Sequence, residues 1–341
     1  MIPLLLVSQI AVAQSPLISL QTVRVGDAGN AADSTGFGAV GYEYEIGKYE
    51  VTIGQYATFL NSVASAATNN YIINLWNSNM AADLNIAGIS RSGSGTLASP
   101  YSYSTIGGSN RPIAYVSWFD AARFANWMNN GATNGASTET GAYMLNGATN
   151  GNTVTRNEGS LWHLPSENEW YKAAYYKGGG TNAGYWLYPT KSSLVPSNNI
   201  GGLTNQANYK YAKFDQSLGQ TFHIFAVTVS SVYSTDQNYL TSVGAFSNSS
   251  SAYGTFDQGG NVKEWTESAF GLDRYVMRGG SWESSGATNL SSARVENHTA
   301  SWEFASYGFR VATVPEPSTY ALLLLAGAGA ALMARCRAKR G

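Results

Sequence analysis

"YGTFDQGGNVKEW", residues 253–265, decides how this chain is read. It sets two carboxylates, Asp257 and Glu264, around the Gly259–Gly260 pair and ends on Trp265. A glycine pair permits a tight turn that exposes backbone carbonyls, and the flanking acids add side-chain oxygens. Calcium, a hard cation, takes about six to eight such oxygens. A plainer reading stands beside it: Asp257 caps the turn, Glu264 pairs with Arg278 or Arg310, and Trp265 fills a core.

The rest of the sequence narrows the setting. Its 341 residues suit one large domain with appended segments. Charged residues make up 12%, about half the usual share, while glycine, tryptophan and tyrosine are plentiful. That balance has an extracellular flavour. A formal net charge of -1 leaves no basic field to gather on phosphates, so nucleic acid is excluded as a partner. The single cysteine, Cys336, lies in the C-terminal tail, so no intrachain disulfide forms and nothing before the tail carries a thiol.

Both ends read as export signals. "MIPLLLVSQIAVAQ" is an apolar run closed by Ala11-Val12-Ala13, the small-x-small pattern of a signal peptidase site. A truncated signal peptide over 1–13, cleaved before Gln14, is expected. At the other end, Tyr320 to Ala334 carries no charge, and Arg335, Arg337, Lys339 and Arg340 follow. A helix over 320–334 would measure roughly 22 Å, short of the roughly 30 Å hydrocarbon core. Snorkelling arginines and local thinning close the gap. The positive-inside bias places the basic end in the cytoplasm and everything before Val314 outside.

Residues 314–341 resemble the PEP-CTERM sorting signal of Gram-negative bacteria: Pro315-Glu316-Pro317, a short membrane helix, then a basic end. The resemblance implies recognition by an exosortase, transient anchoring in the inner membrane, and delivery to the cell surface, outer membrane or matrix. Such proteins commonly accompany an exopolysaccharide.

Three helix starts are legible between the ends. Thr52 with Gln55 forms a capping-box pairing, followed by Tyr56, Phe59, Leu60 and Val63 at helical spacing. Ser117 and Asp120 precede Ala121, Phe124, Ala125 and Met128. Ser166, after Pro165, pairs with Glu169 ahead of Trp170, Ala173 and Ala174. Residues 129–160 and 190–252 are rich in Asn, Ser, Gly and Thr, with brief strand-like runs such as "FHIFAVTVSSVY". No linker divides 36–312.

Seven collinear blocks then gain meaning together: "GKYEVTIGQYATFLN" (47–61), "RPIAYVSWFDAARFANWM" (111–128), "WHLPSENEWYKAAYY" (162–176), "QANY" (206–209), the opening stretch, "VMRGGSW" (276–282) and "YGFRVA" (307–312). In this order they resemble the sulfatase-modifying-factor family, which includes the formylglycine-generating enzyme. The resemblance implies an α+β, C-type-lectin-like fold over 36–312, with a small antiparallel core, few short helices and much loop. It also implies structural calcium. One site draws on Asp257 and Glu264 side chains with the Gly260 and Val262 carbonyls. A second draws on Asn208 and the Tyr209 carbonyl, with Asp236 and the Asn238 carbonyl as the best match in a poorly aligned stretch.

The chemistry of the family does not carry over. Its enzyme binds copper through two cysteines shortly after the Gly-Gly-Ser turn, and those positions fall near Ser284 and Asn289. Neither a hydroxyl nor an amide replaces the soft thiolate that copper(I) requires, so no copper and no catalytic residues are expected. His163, His223 and His298 are scattered and form no metal-binding pair, and His163 reads as structural. The favoured reading is a non-catalytic, exported domain that binds a glycan or peptide. Trp186, Trp282 and Trp302 are its candidate exposed platforms, whereas Trp118, Trp127, Trp170 and Trp265 read as core. The alternative is an oxidoreductase with ligands other than cysteine.

Overall fold

The computed structural model describes residues 15–66 and 69–314. The expected signal peptide, the Pro315-Glu316-Pro317 motif and the 320–334 helix lie outside these residues. Among the described residues, no helix is long and apolar enough to cross a membrane.

Three helices begin where local chemistry dictates. In α1 (Ile53–Val63), α4 (Trp118–Asn129) and α5 (Glu167–Tyr175), the hydroxyls of Thr52, Ser117 and Ser166 accept from the backbone N–H three residues on. The side chains of Gln55, Asp120 and Glu169 accept in return from the cap's own N–H. Each reciprocal pair satisfies two backbone donors that a helix end leaves free. Two single-turn helices, α2 (Asn70–Ile73) and α3 (Asn79–Ala82), lie between α1 and α4.

Among the described residues twelve strands accompany them, most only two to five residues long. One four-stranded sheet has the order β1 (Thr22–Val25), β2 (Tyr44–Gly47), β12 (Ala312–Thr313) and β5 (Trp162–His163), antiparallel throughout. It therefore joins the beginning and end of the domain. The other has the order β10 (Glu296–Thr299), β9 (Arg274–Arg278), β8 (Lys263–Phe270) and β11 (Tyr307–Phe309). Here β8 and β11 run parallel, the one exception in the two four-stranded sheets to the expected antiparallel core. Two hairpins, β3 (Ile89–Ser92) with β4 (Ser102–Thr105) and β6 (Tyr211–Asp215) with β7 (Gln220–Ile224), stand apart from both sheets. Of the run "FHIFAVTVSSVY", only the start is strand. The remainder turns back through a single bridge between Phe225 and Ser230.

The main core packs α1 and α4 against β8, β9 and β11. Trp118, Trp127, Trp170 and Trp265 are all fully buried, as their sequence placement implied. Trp118 stacks on Tyr275 with centroids 3.9 Å apart, and its indole N–H donates to the Thr266 carbonyl. Trp265 donates to the Val116 carbonyl at 2.9 Å. Each indole thus buries its apolar area without stranding its donor.

Candidate functional site

The opening stretch forms the turn that leads into β8. Asp257 and Asn261 both adopt left-handed backbone, at φ 59° and 58°, on either side of the glycine pair. The Asp257 carboxylate accepts the Gly244 N–H at 2.6 Å. Glu264, on β8, is completely buried. Its Oε2 accepts from Trp170 Nε1 at 2.8 Å and from Arg310 Nε, while Oε1 accepts from Arg310 Nη2 at 2.7 Å. Of the two guanidinium partners open to Glu264 in the sequence, the structure selects Arg310. Arg278 pairs instead with Glu167.

Arg310 sits in the connection between β11 and β12 and reaches both sheets. Besides Glu264, it donates to the carbonyls of Gly47 and Phe256, each at 2.9 Å. A third acid, Glu50, escaped the sequence reading because an acid ahead of a helix cap looks like a solvated one. It is 1% exposed, and it accepts from Asn261 Nδ2 at 3.1 Å and from the Val262 N–H at 3.3 Å. Burial, then the charges of Asp257 and Glu264, push Glu50 well above the usual carboxylate range. Burial also raises Asp257 to about 6, against the Gly244 hydrogen bond and the Arg310 charge, which lower it. Two buried acids, Glu50 and Glu264, and the half-buried Asp257 thus surround one guanidinium, with more negative charge than it neutralises when all are ionised.

The donors suit a hard cation in type. Asp257, the Gly260 and Val262 carbonyls and Glu264 are all oxygen ligands. Glu264 keeps acceptor capacity, since a carboxylate offers about four lone-pair sites. Among the described residues no three His, Cys, Asp or Glu side chains form a metal cage, so such an ion would lean on carbonyls.

The residues named for the second calcium site are engaged separately. Asn208 donates to the Tyr239 carbonyl at 2.9 Å and to Asn261 Oδ1 at 3.1 Å. The Tyr209 carbonyl accepts from Asn198 Nδ2, and the Asn238 carbonyl from Gln237 Nε2. Asp236 is exposed, and its carboxylate accepts from the neighbouring Thr235 hydroxyl.

The three tryptophans proposed as platforms fare differently. Trp282 is 3% exposed, stacked on Tyr239 at 5.1 Å and 3°, and donates to the Ala305 carbonyl, so it is core and not a platform. Trp186 is half-buried beneath Lys177 Nζ, 4.7 Å from the ring centroid, and lines a cleft of about 500 Å³ with Tyr176 and Tyr185. Trp302 is 45% exposed and forms a ledge with Phe304, 47% exposed, their centroids 5.7 Å apart. Between them Glu303 turns to Asn77, and burial followed by the Asp120 charge raises its carboxyl to about 8.

His298 flanks the ledge, 6.1 Å from Trp302 by ring centroids, with Nδ1 2.7 Å from the Tyr307 hydroxyl and Nε2 3.2 Å from Glu296. Burial raises Glu296, but hydrogen bonds from His298 and Lys263 and the Lys263 and Arg294 charges outweigh it and hold Glu296 near 2. Phe304 was not singled out in the sequence, and His298 stood out there only as one of three scattered histidines. The alternation Trp302-Glu303-Phe304, two aromatics around an acid, was the available signal. His163 is fully buried on β5, its Nε2 3.6 Å from Glu169 Oε1.

At the cysteine positions of the related enzyme the chain is closed on itself. The Ser284 hydroxyl accepts the Ser281 N–H at 2.9 Å, and the Asn289 amide donates to the carbonyls of Ser285 and Gly286.

Fold and turn together define a sulfatase-modifying-factor architecture. Residues 36–314 match the sulfatase-modifying factor enzyme 1-like domain, and the chain belongs to that family. Residues 313–340 match the PEP-CTERM protein-sorting motif, which marks the protein for export to the cell surface by exosortase-type machinery. No curated protein is detectably similar. Among solved structures, the chain is similar to CarF at 19% identity and TM-score 0.49, covering 88% of this chain and 100% of that one. It is similar to Treponema denticola variable protein 1 at 17% identity and TM-score 0.46, covering 87% and 96%. PvdO from Pseudomonas aeruginosa shares 17% identity at TM-score 0.42, covering 87% and 92%.

Proposed function

We propose that this exported domain binds a surface ligand, a glycan or a peptide, without catalysing formylglycine formation, and that Trp302 and Phe304 form its contact ledge. The observation that supports it most is the paired exposure of two large aromatics, Trp302 and Phe304; separately, the family's copper-binding cysteine positions fall near Ser284 and Asn289. An apolar sugar face or an aromatic side chain stacks on such a ledge, and His298 with Glu296 supplies polar partners beside it. In a glycan and peptide binding screen with the full-length protein, the Trp302→Ala, Phe304→Ala double variant will lose at least about tenfold in affinity for whatever the wild type retains. Unchanged binding by the double variant would move the ligand elsewhere. Aldehyde appearing on a cysteinyl peptide incubated with the protein would restore the enzymatic reading.

Calcium belongs to the same proposal, as a stabiliser and not a catalyst. Asp257, Glu264 and the carbonyls of Gly260 and Val262 would hold it at the first site. Asn208, the Tyr209 carbonyl, Asp236 and the Asn238 carbonyl would need to draw together to form the second. An ion that binds only the folded chain stabilises it by about 2.7 kcal/mol at a hundredfold excess over Kd. For a domain spanning 36–314 that corresponds to a melting shift of roughly 4–5 °C between calcium and chelator. Asp257→Asn will remove the shift. A wild-type melting temperature indifferent to calcium would eliminate the ion.

A further inference from the structure

We infer that a second site, the cleft between the N-terminal segment and the start of α1, binds a neutral oligosaccharide. The cleft has a volume of about 560 Å³, within the usual range of small-ligand sites. One wall is Ile18–Gln21, another is the first turns of α1 from Thr52 to Thr58, and a third carries Ser109, Asn110 and Ser242. It shares no residue with the Trp302 ledge, so it stands or falls independently of that reading.

Its chemistry is unusual in being neutral almost throughout. None of the described residues lining it is Lys, Arg or His. Phosphates, uronates and carboxylate ligands would find no cation on the lining itself; the adjacent Lys48 holds its Nζ over the Tyr49 and Phe256 rings, 5.3 and 5.6 Å from their centroids. The one acid on its wall, Glu50, is already committed to Asn261 Nδ2 and the Val262 N–H. What the walls do offer is a set of short hydroxyl and amide groups from Ser19, Ser109, Asn110 and Ser242, with the Thr58 hydroxyl as an acceptor because its proton goes to the Gly54 carbonyl; Gln55 is engaged by the Thr52 N–H and the Ser19 carbonyl. Hydroxyls and amides both donate and accept, which matches the vicinal hydroxyls of a sugar. The half-buried Tyr49, stacked on Phe256 at 5.6 Å, adds an aromatic ring to the lining.

A neutral peptide is the competing occupant, and the backbone argues against it. Extended peptides bind by adding a strand to free main-chain groups. Around this cleft those groups are already paired: Ile53 N–H with the Arg111 carbonyl, Gly54 N–H with Ser109, Lys48 N–H with Gln21 and Val243 N–H with Asn110. Side chains remain as the principal donors and acceptors, which suits a sugar better than a strand.

The test is calorimetric titration of the full-length protein with cellobiose, maltose and N,N′-diacetylchitobiose, beside digalacturonate and the blocked peptide acetyl-Gly-Ser-Ala-Gly-amide. At least one neutral disaccharide will bind. Thr58→Trp and Ser109→Trp, which fill the cleft from opposite walls, will each weaken that binding at least tenfold, while Trp302→Ala leaves it within twofold. Asn110→Ala, a truncation of an exposed side chain, serves if either bulky variant fails to fold, and will weaken binding at least threefold. The proposal is overturned if no disaccharide binds, if digalacturonate or the peptide binds in their place, or if the cleft variants bind as wild type does. Loss of binding in Trp302→Ala with retention in the cleft variants would overturn the cleft and leave the ledge standing.

Discussion

Arg310→Met will lower the unfolding free energy by about 3–5 kcal/mol, among the largest losses available to a single side chain here. The reason lies in what the substitution leaves behind. Arg310 neutralises Glu264, which has no exposed surface, and its charge also acts on Glu50 and Asp257. Without it, three acids share a buried pocket with no cation, and at least one must stay charged in low dielectric or take up a proton. The Gly47 and Phe256 carbonyls lose their donor as well, so the join between the two sheets weakens.

A double variant separates the pair from the packing. With Glu264→Gln added to Arg310→Met, the fully buried Glu264 charge is gone, Asp257 and Glu50 remaining, and the loss will shrink by at least about 1 kcal/mol, measured by urea unfolding in chelator. If the proposed calcium site exists, added calcium will reduce the loss of the single variant more than that of the double one, because the double variant lacks the Glu264 carboxylate, one of the two side-chain ligands proposed for the ion. An Arg310→Met protein as stable as wild type in chelator would show that the guanidinium does not hold this cluster together.

The contrast between what was legible and what was not follows interaction range. Each of the three capping boxes spans four residues, so Thr52, Ser117 and Ser166 announced their helices from sequence alone. The long-range pairings had no such signature. β12 is two residues long and β11 three, too short for alternation, and their placement beside β2 and β8 depends on segments more than forty residues away. Trp282 looked free because it follows a glycine turn, while its covering ring, Tyr239, comes from a distant irregular loop. The acid cluster was half legible. Asp257 and Glu264 stood out beside the glycines, but Glu50 enters only through the fold, which brings the chain before α1 against Asn261 and Val262.

Gly260→Ala will be still more severe, costing about 4 kcal/mol or more, with soluble yield falling accordingly. Gly260 has φ 92°, a conformation that L side chains rarely adopt. A methyl group there would also sit 2.2 Å from the Asn208 carbonyl oxygen and 2.8 Å from its carbon. Neither atom can retreat cheaply. The Asn208 carbonyl accepts the Asn261 N–H at 2.9 Å, and the Gly260 N–H donates to the Gly279 carbonyl, so the clash pushes apart backbone pinned on both sides. Gly271→Ala supplies the control. Gly271 also has positive φ, 65°, but nothing lies within 4 Å of its missing Cβ, so only the backbone preference is lost, about 1–2 kcal/mol. Measured side by side by urea unfolding in chelator, the difference between the two variants isolates the close approach of the 207–209 and 260–262 segments from the dihedral strain. Equal losses would mean the two segments do not touch at Gly260. A larger loss at Gly260 means that the turn holding Asp257 ahead of Glu264 is shaped by the 207–209 segment packed against it, before any ion is considered.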